Sequence, residues 1–282
     1  MMPPVVNSLA PASDRNQSPA MIKSLSILAT VAMLSAVPAL AGQSSAWHHV
    51  EGGSIRLVTE SEPGADGILR GALQVVLKAG WKTYWADPGE SGVPPTIAVS
   101  GNGNVADPEI GFPAPSRQDD GYSQFAGYDK PVALALSFPV AEAGGALDFT
   151  ADIFLGVCQS ICIPVQASLT VAPAPGPSDA IVAQAFDQLP AQPDEAFHAR
   201  TVESREGKLL IEVAVPEGAD NLDLFVGSTH SRMLGPTSPV AGERLLFAVP
   251  VMETGKRPGP EHTHYTLVTD QGAVSGTLEI SD

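Results

Sequence analysis

Fifteen Lys and Arg against 31 Asp and Glu give this 282-residue chain a formal net charge of −16. Such a charge disfavours nucleic acid and anionic lipid as partners. An aromatic content of 6% together with 27 Gly and 26 Pro suits a β-rich chain with frequent turns.

The first element in chain order is an export signal. Lys23 supplies a basic n-region, Leu25 to Val37 an apolar h-region, and Ala39-Leu-Ala41 a small-x-small cleavage site. The pattern predicts a signal peptide over residues 1–41. Residues 1–20 carry neither a basic cluster nor a periodicity, so Met21 is an alternative start. The apolar run is too short to span a bilayer comfortably and ends in Pro38. No later segment approaches about eighteen apolar residues, so the mature chain is expected to be exported, periplasmic and without a membrane span. Such a compartment lets cysteines pair.

Short strand-like runs follow. They are Ser54–Glu60, Ile68–Lys78, Thr96–Ser100, Val132–Phe138, Ala146–Leu155 and Val165–Val171. Leu73-Gln-Val-Val-Leu77 and Leu147-Asp-Phe-Thr-Ala-Asp-Ile153 show partial period-2 alternation, the mark of a half-buried strand. With Gly and Pro turns between them, these runs predict an antiparallel β-sandwich over 42–173. Pro173-Ala-Pro-Gly-Pro177 and Pro190-Ala-Gln-Pro193 break the pattern. Between them Ser178 is placed to cap a short helix, Asp179 to Gln188. Residues 174–194 are thus expected to be a linker with one helix. Lys208–Val215, Leu222–Val226, Arg244–Val251, Thr263–Thr269 and Val274–Ile280 predict a second, smaller sandwich over 195–282. The expected fold class is all-β.

The only two cysteines, Cys158 and Cys162, sit in Phe154-Leu-Gly-Val-Cys-Gln-Ser-Ile-Cys-Ile-Pro164. A disulfide closing so short a ring stabilises a fold by only ~2 kcal/mol on the chain-entropy model. Tight rings are prone to strain, and strained bridges are more easily reduced. Redox or metal chemistry is therefore favoured over a rivet, with a pinned hairpin as the bland alternative. The pair is placed at the end of a β-hairpin, where Pro164 is expected to limit the ladder. It is unlike a thioredoxin motif, which needs Cys-x-x-Cys at a helix N-terminus.

Soft thiolates select copper, and a two-cysteine copper centre would want a His shortly after the second Cys. Position 166 is Gln166, however, and the nearest His residues lie more than thirty positions away. The distant candidates are His262 and His264, an i, i+2 pair on one strand face. His48 and His49 read as a flexible polar end.

Gly80-Trp-Lys-Thr-Tyr-Trp-Ala-Asp-Pro-Gly-Glu-Ser-Gly-Val-Pro-Pro95 concentrates aromatics in a chain that has few. Trp81 and Trp85 read either as core or, with Tyr84, as a wall beside a reactive site. Asp87 and Glu90 are candidate proton acceptors, although loop carboxylates are usually just solvated.

The motif Trp81-x-x-Tyr84-Trp85-x-x-Pro-Gly-x-Ser-Gly, then Phe112-Pro-Ala-Pro115, then Val157-Cys-Gln-Ser-Ile-Cys-Ile-Pro164 resembles the periplasmic N-terminal domain of the thiol:disulfide interchange protein DsbD. It is most similar to the copper-tolerance branch, the ScsB-like proteins. The resemblance covers roughly Ala46 to Pro173, and the later β-region is similar to the second sandwich of that branch. It implies immunoglobulin-like domains and a thiol-disulfide oxidoreductase that relays electrons through Cys158 and Cys162, with no cofactor. Thioredoxin-like periplasmic proteins would be the partners. Family members continue into membrane helices and a thioredoxin-like domain, and this sequence stops at Asp282, so a separate membrane electron carrier is the expected reductant. The resemblance also implies an aromatic cover over the sulfurs, here within Asp119–Tyr128, with Phe125 or Tyr128 as the covering ring. Copper delivery through the same thiols, and an interaction module with a structural disulfide, are the alternatives.

Overall fold

The structure is a computed structural model. It describes residues 43–89, 92–101, 103–119, 124–174, 176–205, 207–254 and 261–280. The predicted signal peptide, Glu90 and residues 120–123 lie outside these. The described residues all fall within one unit, Pro38–Asp282.

The strands in chain order are β1 (Gln43–Ser44), β2 (His48–Val50), β3 (Gly53–Thr59), β4 (Ile68–Leu77), β5 (Lys82–Tyr84), β6 (Thr96–Gly101), β7 (Glu109–Gly111), β8 (Ser116–Asp119), β9 (Gln124–Tyr128), β10 (Val132–Pro139), β11 (Phe149–Cys158) and β12 (Cys162–Pro173). Helix α1 (Ser178–Asp187) follows. The chain continues through β13 (His198–Arg205), β14 (Lys208–Ala214), β15 (Asp223–Val226), β16 (Arg232–Leu234), β17 (Ser238–Val240), β18 (Leu246–Glu253), β19 (Glu261–Thr269) and β20 (Gly272–Ile280). The fold is all-β, built of immunoglobulin-like antiparallel sandwiches.

In the first group, hydrogen-bonded neighbours run β7-β10-β4-β3-β1-β12-β11-β5-β9-β8, with β2 on β3 and β6 on β11. Two-residue β1 joins the halves by pairing both β3 and β12. Period-2 patterning explains the strands. On β12, Val165, Ala167, Leu169 and Val171 are buried while the residues between them are exposed. Facing side chains from both halves, among them Leu57, Leu73, Leu136, Phe138 and Leu155, close one core. Burial of such side chains, at ~1.5–3 kcal/mol each, is the main term holding the sheets together.

Three local expectations are corrected. His48 and His49 are not a loose end: they form β2, and His49 Nδ1 lies 2.7 Å from Ser54 Oγ. Ser178 does not cap α1. Pro177 occupies the N-cap, no side-chain cap bond is made, and Ser178 is buried in the first turn. Nor does Pro164 limit the hairpin ladder, because the pairing runs from Cys158↔Cys162 through Gly156↔Pro164 to Phe149↔Val171. Over this stretch β11 is, among the described residues, the one strand paired to β12, and an edge strand tolerates a missing donor on its open side.

Helix α1 is packed rather than free. Val182 and Ala185 are fully buried against Val58, Ala72 and Ala135, on β3, β4 and β10. Beyond it, Ala191 pairs with β20: its N–H donates to Ala273 O at 2.9 Å and its carbonyl accepts from Ser275 N at 3.0 Å.

The second group comprises the sheet β13-β14-β18-β16, with β17 on β18, and the sheet β15-β19-β20. Leu209, Ile211, Leu224, Val249, Leu267 and Leu278 fill its core. Phe225 of β15 is buried in the first core instead.

Candidate functional site: the Cys158–Cys162 hairpin end

Strands β11 and β12 bring the two cysteines opposite each other. Cys158 and Cys162 are register partners at the end of the ladder, with Cα atoms 4.1 Å apart and the sulfurs joined in a disulfide. Gln159-Ser-Ile161 forms the loop, in which Gln159 N–H donates to Ile161 O at 3.1 Å. The two cysteines differ in exposure: Cys158 is 1% exposed and Cys162 is an exposed residue. Ile161 at the tip is 70% exposed.

Strand β5 flanks the buried cysteine. Lys82 pairs with Cys158 and Thr83 with Val157, and Thr83 Oγ1 donates to Gly156 O at 2.8 Å. Tyr84 is buried, and its hydroxyl lies 3.0 Å from both Cys158 Sγ and Cys162 Sγ. A disulfide sulfur carries no proton, so the hydroxyl is the donor, and sulfur is a weak acceptor. The Tyr84 ring has room because residue 156 is glycine: a Cβ there would stand 2.7 Å from Tyr84 Cε2. A glycine inside a strand often marks such a close approach.

Phe125 completes the cluster. It sits on β9, which pairs with β5 through Thr83↔Tyr128 and Tyr84↔Gly127. Its ring meets that of Tyr84 edge-on, with centroids 4.9 Å apart and planes at 63°. Phe125, Tyr84 and Cys158 form a buried cluster of their own. Gly127 permits the tight β5–β9 approach, since a Cβ there would fall 2.3 Å from Thr83 O.

The remaining aromatic candidates lie elsewhere. Trp85 is buried in the main core with its ring centroid 5.9 Å from that of Phe225. Tyr128 also belongs to the main core, donates to Pro113 O at 2.8 Å, and has its phenol pKa pushed up by burial. Asp87 accepts from Gly89 N and from Ser228 N, so it ties a loop to the second group. His262 and His264 lie exposed on β19. Among the described residues, no three His, Cys, Asp or Glu side chains gather where they could hold one metal ion, so the copper set Cys158, Cys162, His262 and His264 is not brought together.

Gly156 and Thr83 escaped the sequence reading, although Gly156 stood in plain view inside the run Ile153-Phe-Leu-Gly-Val157. The second group's hold on β8 carried no local signal. Arg117 of β8 meets Asp223 of β15, 106 residues later.

The model of the family "Thiol:disulfide interchange protein DsbD, N-terminal" matches residues 59–173. This span holds every residue of the sulfur cluster. The chain carries a DsbD N-terminal-like domain. The match ends where β12 ends, so α1 and the second group lie beyond it. Among solved structures, the N-terminal periplasmic domain of ScsB from Proteus mirabilis aligns over 84% of this chain and 97% of its own, at 21% identity and a TM-score of 0.69. That likeness establishes the fold across both strand groups. A conserved domain protein from Bacillus anthracis aligns at 7% identity and a TM-score of 0.22, too little shared geometry to carry weight. No curated protein matches the chain. Among the described residues, no helix is long and apolar enough to cross a membrane.

Proposed function

We propose that the chain is a periplasmic thiol-disulfide exchange protein that passes electrons through Cys158 and Cys162 to or from thioredoxin-like partners. The observation that carries this is the asymmetry of the pair: Cys162 is an exposed residue, and Cys158 is buried with Tyr84 and Phe125. Exchange needs a sulfur that a partner can reach and a second that resolves the intermediate. In the reduced form, the Cys162 thiolate attacks a sulfur of the partner's disulfide, and the partner's other sulfur leaves as a thiolate and takes a proton. Cys158 then loses its proton and attacks Cys162 Sγ, which frees the partner's remaining thiol. Two electrons and two protons move to the partner, and the Cys158–Cys162 disulfide forms. Reversal of the same steps reloads the pair from another carrier. Tyr84 can donate to the thiolate at either stage, and such charge-assisted bonds are about twice as strong as neutral ones. Exposed Ile161 beside Cys162 offers apolar contact to a protein partner.

The test is an equilibrium titration of the pair against glutathione and dithiothreitol buffers. A relay is expected to have a potential between about −300 and −120 mV, and a value well below about −300 mV marks a structural bridge.

A further inference from the structure

We propose that the second strand group acts as a positioning clamp: through Arg117 it holds the β8–β9 pair, and with it the Phe125 ring, against Cys158. The proposal rests on the exchange reading above and gives the second group a part in it.

Among the described residues strand β8 ends the sheet path, with β9 as its hydrogen-bonded neighbour on one side only. The register Ser116↔Gly127, Arg117↔Ala126, Gln118↔Phe125 ties the position of Phe125 to that of β8. Strand β9 is held from its other side by two register pairs with three-residue β5. A short edge arrangement of this kind gains little from its own ladder; Tyr128 anchors its end in the first core, and the second group adds a further hold on β8.

Arg117 supplies that hold. Its Nε donates to Asp223 Oδ1 and Oδ2 at 3.0 and 2.9 Å, and its Nη2 donates to Asp223 Oδ1 at 2.7 Å. Nη2 also reaches Thr237 Oγ1 at 2.6 Å, Thr237 O at 3.2 Å and Leu224 O at 3.4 Å. The guanidinium carbon stands 5.4 Å from the centroid of the Phe225 ring, which in turn packs on Trp85. A bidentate guanidinium–carboxylate pair fixes orientation as well as distance. Beside this contact lies a cavity of about 260 Å³ whose lining includes Phe125, Trp85, Arg117 and Phe225. Phe125 thus borders both the sulfur cluster and an open space. A ring so placed can leave Cys158 for the cavity without unfolding the sandwich, and the Arg117 contact sets how readily β9 shifts to allow it.

The test reduces the oxidised full chain with excess dithiothreitol in native buffer. Dithiothreitol becomes its cyclic disulfide while Cys158 and Cys162 take up two electrons and two protons. The variants are Arg117→Gln, Asp223→Asn and Arg117→Lys. Arg200→Gln, which breaks the exposed Arg200–Glu212 pair within the second group, is the control. Arg117→Gln and Asp223→Asn are expected to speed reduction about tenfold, the factor that corresponds to ~1.4 kcal/mol of closed-state preference. Arg117→Lys keeps the charge but loses the fork, so it falls between. Arg200→Gln leaves the rate unchanged. Combining Arg117→Gln with Phe125→Leu is expected to give no more than Phe125→Leu alone, because both act on one ring. Unchanged rates in the folded single variants overturn the clamp, as do effects that multiply in the double variant. If Arg117→Gln does not fold, Asp223→Asn decides by the same criteria. The equilibrium potential, measured alongside, separates the two claims. A potential in the structural range defeats the exchange reading whatever the rates, and flat rates defeat the clamp whatever the potential.

Discussion

Gly156 leaves the space that the Tyr84 ring fills: a methyl group at residue 156 would meet Tyr84 Cε2 at 2.7 Å and Cδ2 at 2.9 Å. The contact decides where the tyrosine hydroxyl stands relative to the sulfurs. Gly156→Ala is therefore expected to lower stability by ~1–3 kcal/mol, the usual range for overpacking. Urea unfolding measures it. Tyr84→Ala in the same background should cost less than the two single changes added together, because the clash disappears with the ring.

Tyr84→Phe keeps the buried ring and removes the hydroxyl that reaches both sulfurs. The hydroxyl bonds a thiolate more strongly than a disulfide sulfur, so it favours the reduced pair. Its loss is expected to make the potential more negative by about 30 mV, a tenfold change for a two-electron couple. Alkylation of reduced Cys162 near neutral pH should slow in parallel, while the urea midpoint stays close to that of the wild type. An unchanged potential would remove Tyr84 from the redox chemistry.

In the second group, Thr229 Oγ1 donates to Glu261 Oε2 at 2.6 Å. This bond is the main reason the Glu261 carboxyl is held below its usual range; burial opposes it and the Arg232 cation adds to it. The folded value lies below the unfolded one of about 4.3, so the unfolded chain takes the proton first. The contribution to stability is present above the unfolded value and is lost as pH falls through the folded one. Glu261→Gln keeps an acceptor for Thr229 and removes the titration. Between about pH 6 and pH 3, its urea midpoint should fall less than that of the wild type. Equal falls would contradict the assignment.

Much of the first group was legible because its strands alternate or run apolar. Ile68–Leu77, Val132–Pro139 and the two arms of the cysteine hairpin were all placed, with shifts of a few residues. The arm before Cys158 runs on to the cysteine itself, since β5 supplies a second neighbour there. Strands β5, β8 and β9 were not foreseen as strands. They are three to five residues long and owe their form to neighbours rather than to a pattern of their own. His198–Arg205 was missed because its residues are mostly polar, and a buried position such as Ala199 gives too little signal. The site was legible as chemistry but not as geometry. Two cysteines and a Trp-Tyr-Trp cluster named the ingredients, yet nothing local separated Tyr84, which reaches the sulfurs, from Trp85, which faces Phe225. That choice is made by the pleat of a three-residue strand.

The most direct test of the exchange reading traps its intermediate. In Cys158→Ser the exposed Cys162 keeps its thiol and loses the sulfur that resolves the intermediate. Mixed with an oxidised thioredoxin-fold protein, the variant is expected to form a disulfide-linked adduct through Cys162. The adduct would be seen on a non-reducing gel and cleared by dithiothreitol. Cys162→Ser, which leaves only the buried Cys158, should give far less. Absence of any adduct from folded Cys158→Ser with a titratable free thiol would contradict the account.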